Sequence, residues 1–272
     1  MYAVDFEYDG QYLSDYGFII CDFNSTTGAD VIDAGSKITF NKTARNSGKE
    51  YSLVSTQYDQ CVSATFDICK NPDIFDYEDM AITNDEFRSI VRWLNRTEFL
   101  KFQIFYEDYR DRTSCYYDAS FNVDKITIGK VLYGIRLTME SNKPFGYGAE
   151  QVLTYTFSNA TQSYILTDIS DEIGSMCPYV AITCDEDGDI ELHNALEGCT
   201  TLIKNCSVGE VITLDGNSQI ISTTYNSHNI CNDFNYEFFR IGNTINTRDN
   251  LITVSKPCRI EIRYSPIIKD VP

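Results

Sequence analysis

At 272 residues, with 43% hydrophobic side chains, the chain can fill one large core or two modest ones, which excludes a wholly disordered polypeptide. Its formal charge of −18, from 22 basic against 40 acidic residues, argues against nonspecific nucleic-acid binding and against docking on an anionic membrane, since both rest on Lys and Arg. Apolar runs such as Phe18-Ile19-Ile20 are far too short to span a bilayer, so no membrane insertion is expected.

The first residues, YAVDFEYDG, lack the basic start and apolar run of a secretory leader, so synthesis in a cytosol is expected. The ten cysteines (Cys21, Cys61, Cys69, Cys115, Cys177, Cys184, Cys199, Cys206, Cys231 and Cys258) then read as reduced, space-filling thiols. Without a CxxC pair, no metal site is expected of them. Val4, Phe6 and Tyr8 alternate with Ala3, Asp5 and Glu7, the period of a half-buried strand, and Asp9-Gly10 turns the chain. DYGFIICDF at 15–23 reads as a second strand, 24–36 as a loop, KITF at 37–40 as a strand and ARNSGKEY at 44–51 as a polar turn. SATFDIC at 63–69 puts Ala64, Phe66 and Ile68 on one side of a strand, and an acidic connection follows.

The period then changes. Thr83 or Asn84 can cap a helix whose first turn carries Asp85 and Glu86, where the helix dipole favours negative charge. Phe87, Ile90, Val91 and Leu94 follow the i, i+3, i+4, i+7 spacing of one buried stripe, Arg88 and Arg92 fall away from it, and Asn95 is a stop. Strand alternation resumes at Leu100, Phe102 and Ile104. It continues through Tyr117, Ala119, Phe121 and Val123, then Ile135, Leu137 and Met139. The front half is therefore a sheet-rich domain with one helix laid across a sheet face. At SNKPFGYGAE the periodicity breaks. Pro144 and Gly146 mark an interdomain turn that divides the chain into domains 1–143 and 144–272.

The back half is a series of short strands at 151–157, 179–183, 189–194, 200–206, 210–215, 219–223, 237–241, 250–255 and 259–264, parted by turns such as DEDGD and LDGN. That spacing suggests a β-sandwich. Asp185, Asp187 and Asp189 have the spacing of a calcium loop's first ligands. The twelfth position is Leu196 and the flanks are strands, so an acidic hairpin turn is the better reading. The two histidines, His193 and His228, adjoin no nucleophile motif, and neither G-x-S-x-G nor a P-loop occurs. FYEDYRD at 105–111 reads as a solvated tip. Tyr225 and Tyr236 are candidates for a sugar platform or for edge packing. No catalytic, cofactor-binding or metal-ligating residue is assigned, and no enzyme activity is expected.

Three segments, in order and over nearly the whole chain, resemble the distal tail proteins of long-tailed bacteriophages. They are FEYDGQYLSDYGFIICDF; VRWLNRTEFLKFQIF with YGIRLTMESNKPFGYG; and GEVITLDGNSQII with FFRIGNTINTRDNLITVSKPCRIEIRYSP. RIGNTINTRDN departs from the family's tighter Pro-Gly-x-Asn turn. The resemblance implies a mostly β fold: an N-terminal, tail-tube-like β-sandwich with one helix near 84–95 and a C-terminal galectin-like β-sandwich. It leaves room for the last strand, 259–272, to pack on the first domain. It also implies a homo-hexameric ring at the tail tip of the virion, assembled in the host cytoplasm, between a tail-tube protein and a tail-associated hub or fibre protein. DNA would pass through the lumen without specific binding. A carbohydrate-binding host-recognition module and a tail-tube subunit are the alternatives.

Overall fold

The computed structural model describes residues 3–23, 38–45, 48–106 and 115–269. The loop expected over 24–36 and most of the acidic tip at 105–111 lie outside them. The fold is mostly β and antiparallel, in two compact units, Met1–Gly148 with Ile268–Pro272, and Ala149–Ile267.

The first unit holds Ala3–Tyr8 (β1), Gln11–Tyr12 (β2), Phe18–Cys21 (β3), Ile38–Ala44 (β4), Tyr51–Tyr58 (β5), Ser63–Lys70 (β6), Asn84–Leu94 (α1), Leu100–Tyr106 (β7), Cys115–Ile128 (β8), Val131–Ser141 (β9) and Gly146–Gly148 (β10). Its main sheet runs β2-β1-β7-β8-β9-β6-β3, with β10 pairing β8. Among the described residues β4 and β5 pair only with each other. The alternating apolar residues of β1, β7, β8 and β9 share one core with α1: Phe6, Tyr8, Phe102, Tyr117, Phe121, Ile135, Leu137 and Met139 are buried beside Ile90, Trp93 and Leu94. The large rings, rather than many small side chains, supply the apolar area that drives this burial.

The second unit holds Gln151–Phe157 (β11), Ser163–Thr167 (β12), Gly174–Met176 (β13), Tyr179–Cys184 (β14), Gly188–Asn194 (β15), Cys199–Cys206 (β16), Val211–Asp215 (β17), Ile220–Thr223 (β18), Ile230–Asp233 (α2), Ile241–Asn243 (β19), Asp249–Val254 (β20) and Cys258–Tyr264 (β21). A five-stranded sheet, β11-β21-β14-β17-β18, and a four-stranded sheet, β12-β20-β15-β16, contribute to one core around Val180, Ile182, Leu192, Ile212, Ile252 and Ile260, which Phe157, Phe234, Phe238 and Phe239 join. Ile267–Ile268 (β22) pairs β10.

Four local expectations change. The strand expected over 15–23 is a 3-10 turn at Leu13–Tyr16 followed by β3, because Gly17 takes a left-handed conformation (φ 74°) that ends one element before the other begins. A strand, β5, follows the polar turn at 44–51; its serines and threonines mask the alternation. The segment EFFRI is not a strand over 237–240: Phe238 and Phe239 are buried from irregular backbone, and β19 starts at Ile241. SYILT, without a strong apolar face, forms β12.

Candidate assembly surfaces

Helix α1 starts with a reciprocal cap. Thr83 Oγ1 accepts from Glu86 N (3.3 Å), and Thr83 N and Oγ1 donate to Glu86 Oε2 at 2.7 and 2.8 Å. Buried Lys70 joins β6 to this corner, with Nζ 2.8 Å from Glu86 Oε1 and 3.0 Å from the Asp79 carbonyl. Burial works to raise the Glu86 pKa, but the hydrogen bonds from Lys70 and Thr83 outweigh it and hold the carboxyl below its ordinary value. At the other end, Asn95 N donates to the Val91 carbonyl and Asn95 Nδ2 to the Phe121 carbonyl (2.8 Å).

Of the four stripe residues, Ile90 and Leu94 are buried, and Phe87 and Val91 are half-buried at the margin. The stripe is turned towards Trp93, which the spacing does not flag because it sits beside the i, i+3, i+4 series. Trp93 stacks on Tyr16 (4.6 Å between centroids) and on Phe6 (5.5 Å), and its Nε1 donates to the Tyr8 carbonyl at 3.0 Å. A buried indole needs that acceptor. Pro144 is half-buried ahead of β10, and Gly146 lies within β10, where a Cβ would strike Cys115 Sγ and the Tyr117 ring. The first unit extends past both, to Gly148.

The β4–β5 hairpin is built differently. Its register pairs Ile38 with Tyr58, Phe40 with Thr56, Lys42 with Leu53 and Ala44 with Tyr51; Thr39, Asn41 and Thr43 face Gln57, Ser55 and Ser52. Cross-strand partners share a face, so one face is largely apolar and the other polar. The apolar face is open: Phe40 is 54%, Leu53 57% and Tyr51 66% exposed. Among the described residues both outer edges of the hairpin are also unpaired. A lone hairpin is marginally stable, and an open edge with apolar side chains invites another strand or surface. A second open apolar surface in this unit is a depression of about 550 Å³ lined by Pro72, Phe75, Tyr77, Met80, Ile128 and Tyr133.

The second unit concentrates its polar groups inside. Asn250 Oδ1 accepts from Asn194 Nδ2 and Gly242 N, both at 2.7 Å, while its Nδ2 donates to the carbonyls of Leu166, Gly242 and Arg248. Buried Glu210 accepts from Ser207 N at 2.8 Å and from Thr223 Oγ1, and lies 2.6 Å from His228 Nδ1. His228 Nε2 is 3.4 Å from Asp233 Oδ2. The sequence spacing does not reveal this cluster, because Glu210 stands 18 residues from His228. His193 Nδ1 is 3.0 Å from Thr200 Oγ1. In the acidic turn, Asp187 Oδ1 accepts from Val208 N and Asp189 Oδ1 from Asn205 N, so these carboxylates hold the neighbouring turn. Tyr225 donates to the Val208 carbonyl and Tyr236, 65% exposed, to the Cys231 carbonyl. Among the described residues no three His, Cys, Asp or Glu side chains are placed to hold a metal ion, and no helix is long and apolar enough to cross a membrane.

Two family models match the chain: "phage tail protein N-terminal domain" over residues 1–143 and "phage tail C-terminal domain" over residues 145–264. No curated protein matches it in sequence. Among solved structures, the fold is similar to that of the SPP1 phage Dit (gp 19.1) protein, described as a paradigm of the hub adsorption apparatus in phages that infect Gram-positive hosts. The TM-score is 0.67 at 12% identity, over 97% of this chain and 99% of that one. A chain of the phage P2 baseplate in its activated conformation with Ca aligns over 97% of this chain and 98% of its own, at 11% identity and a TM-score of 0.45.

Proposed function

From the premise that this chain belongs to the family of phage tail proteins, we propose that it is the hub of the tail tip, a hexameric ring joining the tail tube to the tail-associated protein of the baseplate. The observation that carries this reading is the β4–β5 hairpin. Its open apolar face and its two edges, unpaired among the described residues, are what a protomer needs to continue a sheet into its neighbours, and a closed ring removes the edges that a monomer would leave exposed. Likeness to the fold of the SPP1 hub component supports it. The charge of −18 suits a channel through which DNA slides without being held by Lys and Arg. The role is assembly rather than catalysis, and the particle is the virion tail.

Native mass spectrometry and negative-stain microscopy of the full chain, alone and with tail-tube protein, test the proposal. A six-fold ring is expected. Phe40→Asp with Leu53→Asp should leave a folded monomer that no longer closes. A wild-type chain that stays monomeric at micromolar concentration in both conditions overturns the reading, as does growth into long tubes.

A further inference from the structure

Among the described residues, two of the ten cysteines lie together on the last two strands of the first sheet. β3 is its terminal strand, and it pairs with β6 so that Cys21 stands opposite Asp67, and Ile19 opposite Cys69. Cys21 and Cys69 are thus two residues apart on the ladder, on the same face, the diagonal along which strand twist can bring side chains together. Their thiols are near enough to perturb one another, and both residues are half-buried. The pair therefore combines proximity with access. A second thiol contact, between Cys184 and Cys206, lacks the access: both residues are buried, 1% and 2% exposed. Cys61 and Cys231 have access without a partner thiol in contact, being exposed and free.

We infer that Cys21 and Cys69 form a reversible disulfide with small-molecule disulfide oxidants, a modification site that staples the edge strand β3 to β6. The Cys69 thiolate attacks one sulfur of the oxidant, forms a mixed disulfide and expels the first small thiolate. Cys21, after losing its proton, attacks the Cys69 sulfur and expels the second. Two protein thiols are oxidised, one oxidant disulfide is reduced to two thiols, and the two protons go to the leaving thiolates. Order follows from the contact. The Cys21 thiol donates to Cys69 and favours its thiolate, whereas Cys21 is held protonated by that hydrogen bond, by burial and by the nearby Asp67 and Asp22 charges. The site acts on the strand edge whether or not the chain closes a ring. In a particle that leaves a reducing cytosol it would tighten the subunit on release.

Titration of the folded full chain with oxidised glutathione, quenched by acid and mapped by peptide mass spectrometry, tests this. The expected first product, beyond adducts on exposed Cys61 and Cys231, is one Cys21–Cys69 cross-link that dithiothreitol reverses, with Cys184 and Cys206 still reduced. Cys21→Ser should arrest the reaction at a glutathione adduct on Cys69. A stable adduct on Cys69 in the wild type with Cys21 reduced overturns the inference. So does a pair left fully reduced when Cys61 and Cys231 are already modified, or oxidation of Cys184 and Cys206 ahead of it.

Discussion

The two units solve the same burial problem with a different balance of rings and buried polar groups. The first closes a sheet with aromatic rings and one helix; Phe6, Tyr8, Trp93, Phe102 and Phe121 crowd one cluster. The second packs strands around Val, Ile and Leu together with Phe157, Phe234, Phe238 and Phe239, and places Asn194, Asn250, Asp168 and Glu210 in the interior, held by hydrogen bonds. A ring-rich core depends on a few large contacts, whereas a core threaded by amides depends on a network that fails if one member is lost. The two units should therefore break at different kinds of residue. Trp93→Ala is the largest expected effect. It empties the stack between Phe6 and Tyr16 and removes the indole donor to the Tyr8 carbonyl, at a cost of about 4 kcal/mol. Hydrogen exchange should show the loss over residues 3–141, with 151–264 protected as before. Equal loss in both segments would break the comparison.

The counterpart in the second unit is Asn250→Ala. It strands the Gly242 amide, takes from Asn194 Nδ2 one of its two acceptors while the Arg240 carbonyl remains, and removes the donor to three carbonyls, for about 3 kcal/mol. Because Trp93 is the chain's one tryptophan, its fluorescence reports the first unit, and its urea midpoint should not move while the circular-dichroism transition of the second unit falls. A shift in the Trp93 midpoint would mean that the units unfold together.

This contrast also explains what the sequence discloses. The helix is legible because its cap, its acidic first turn and its apolar spacing all agree, from Thr83 to Asn95. Strands with one wet face, such as β1 and β9, are legible through alternation. β5 is not, because its serines and threonines mask the alternation, and among the described residues its apolar face stays open. Nor are Phe238 and Phe239, whose apolar run looks like a strand although the irregular backbone around Tyr236, at φ 60°, sets their direction. The family resemblance rests on the order of three segments, each weak alone. The hairpin face emerges only from register, and the Glu210–His228 contact only from tertiary folding.

That last contact gives the smallest effect and the sharpest test of how the second unit uses polar groups. Burial works to raise the pKa of Glu210, but Thr223, His228 and Ser207 outweigh it and hold the carboxyl below its ordinary value. Burial also opposes charge on His228, but the hydrogen bond and charge of Glu210, with Cys206 and Asp233 nearby, hold the imidazole above its ordinary value. The signs then fix a window. A depressed carboxyl contributes its stability above pH ~4.5 and loses it as pH falls through the folded pKa; a raised imidazole contributes fully below pH ~6.5 and loses it as pH rises through its own. The pair therefore stabilises the second unit most between these values. Its net worth is modest, because desolvation offsets much of the attraction. Glu210→Gln should remove the fall on both sides, leaving a flatter difference in Tm against pH, whereas His228→Gln should remove the alkaline limb and weaken the acid one, since Thr223 and Ser207 still hold Glu210. If both variants keep the wild-type alkaline slope, the pair is not ionised in the folded chain, and the polar interior of this unit is a neutral network throughout.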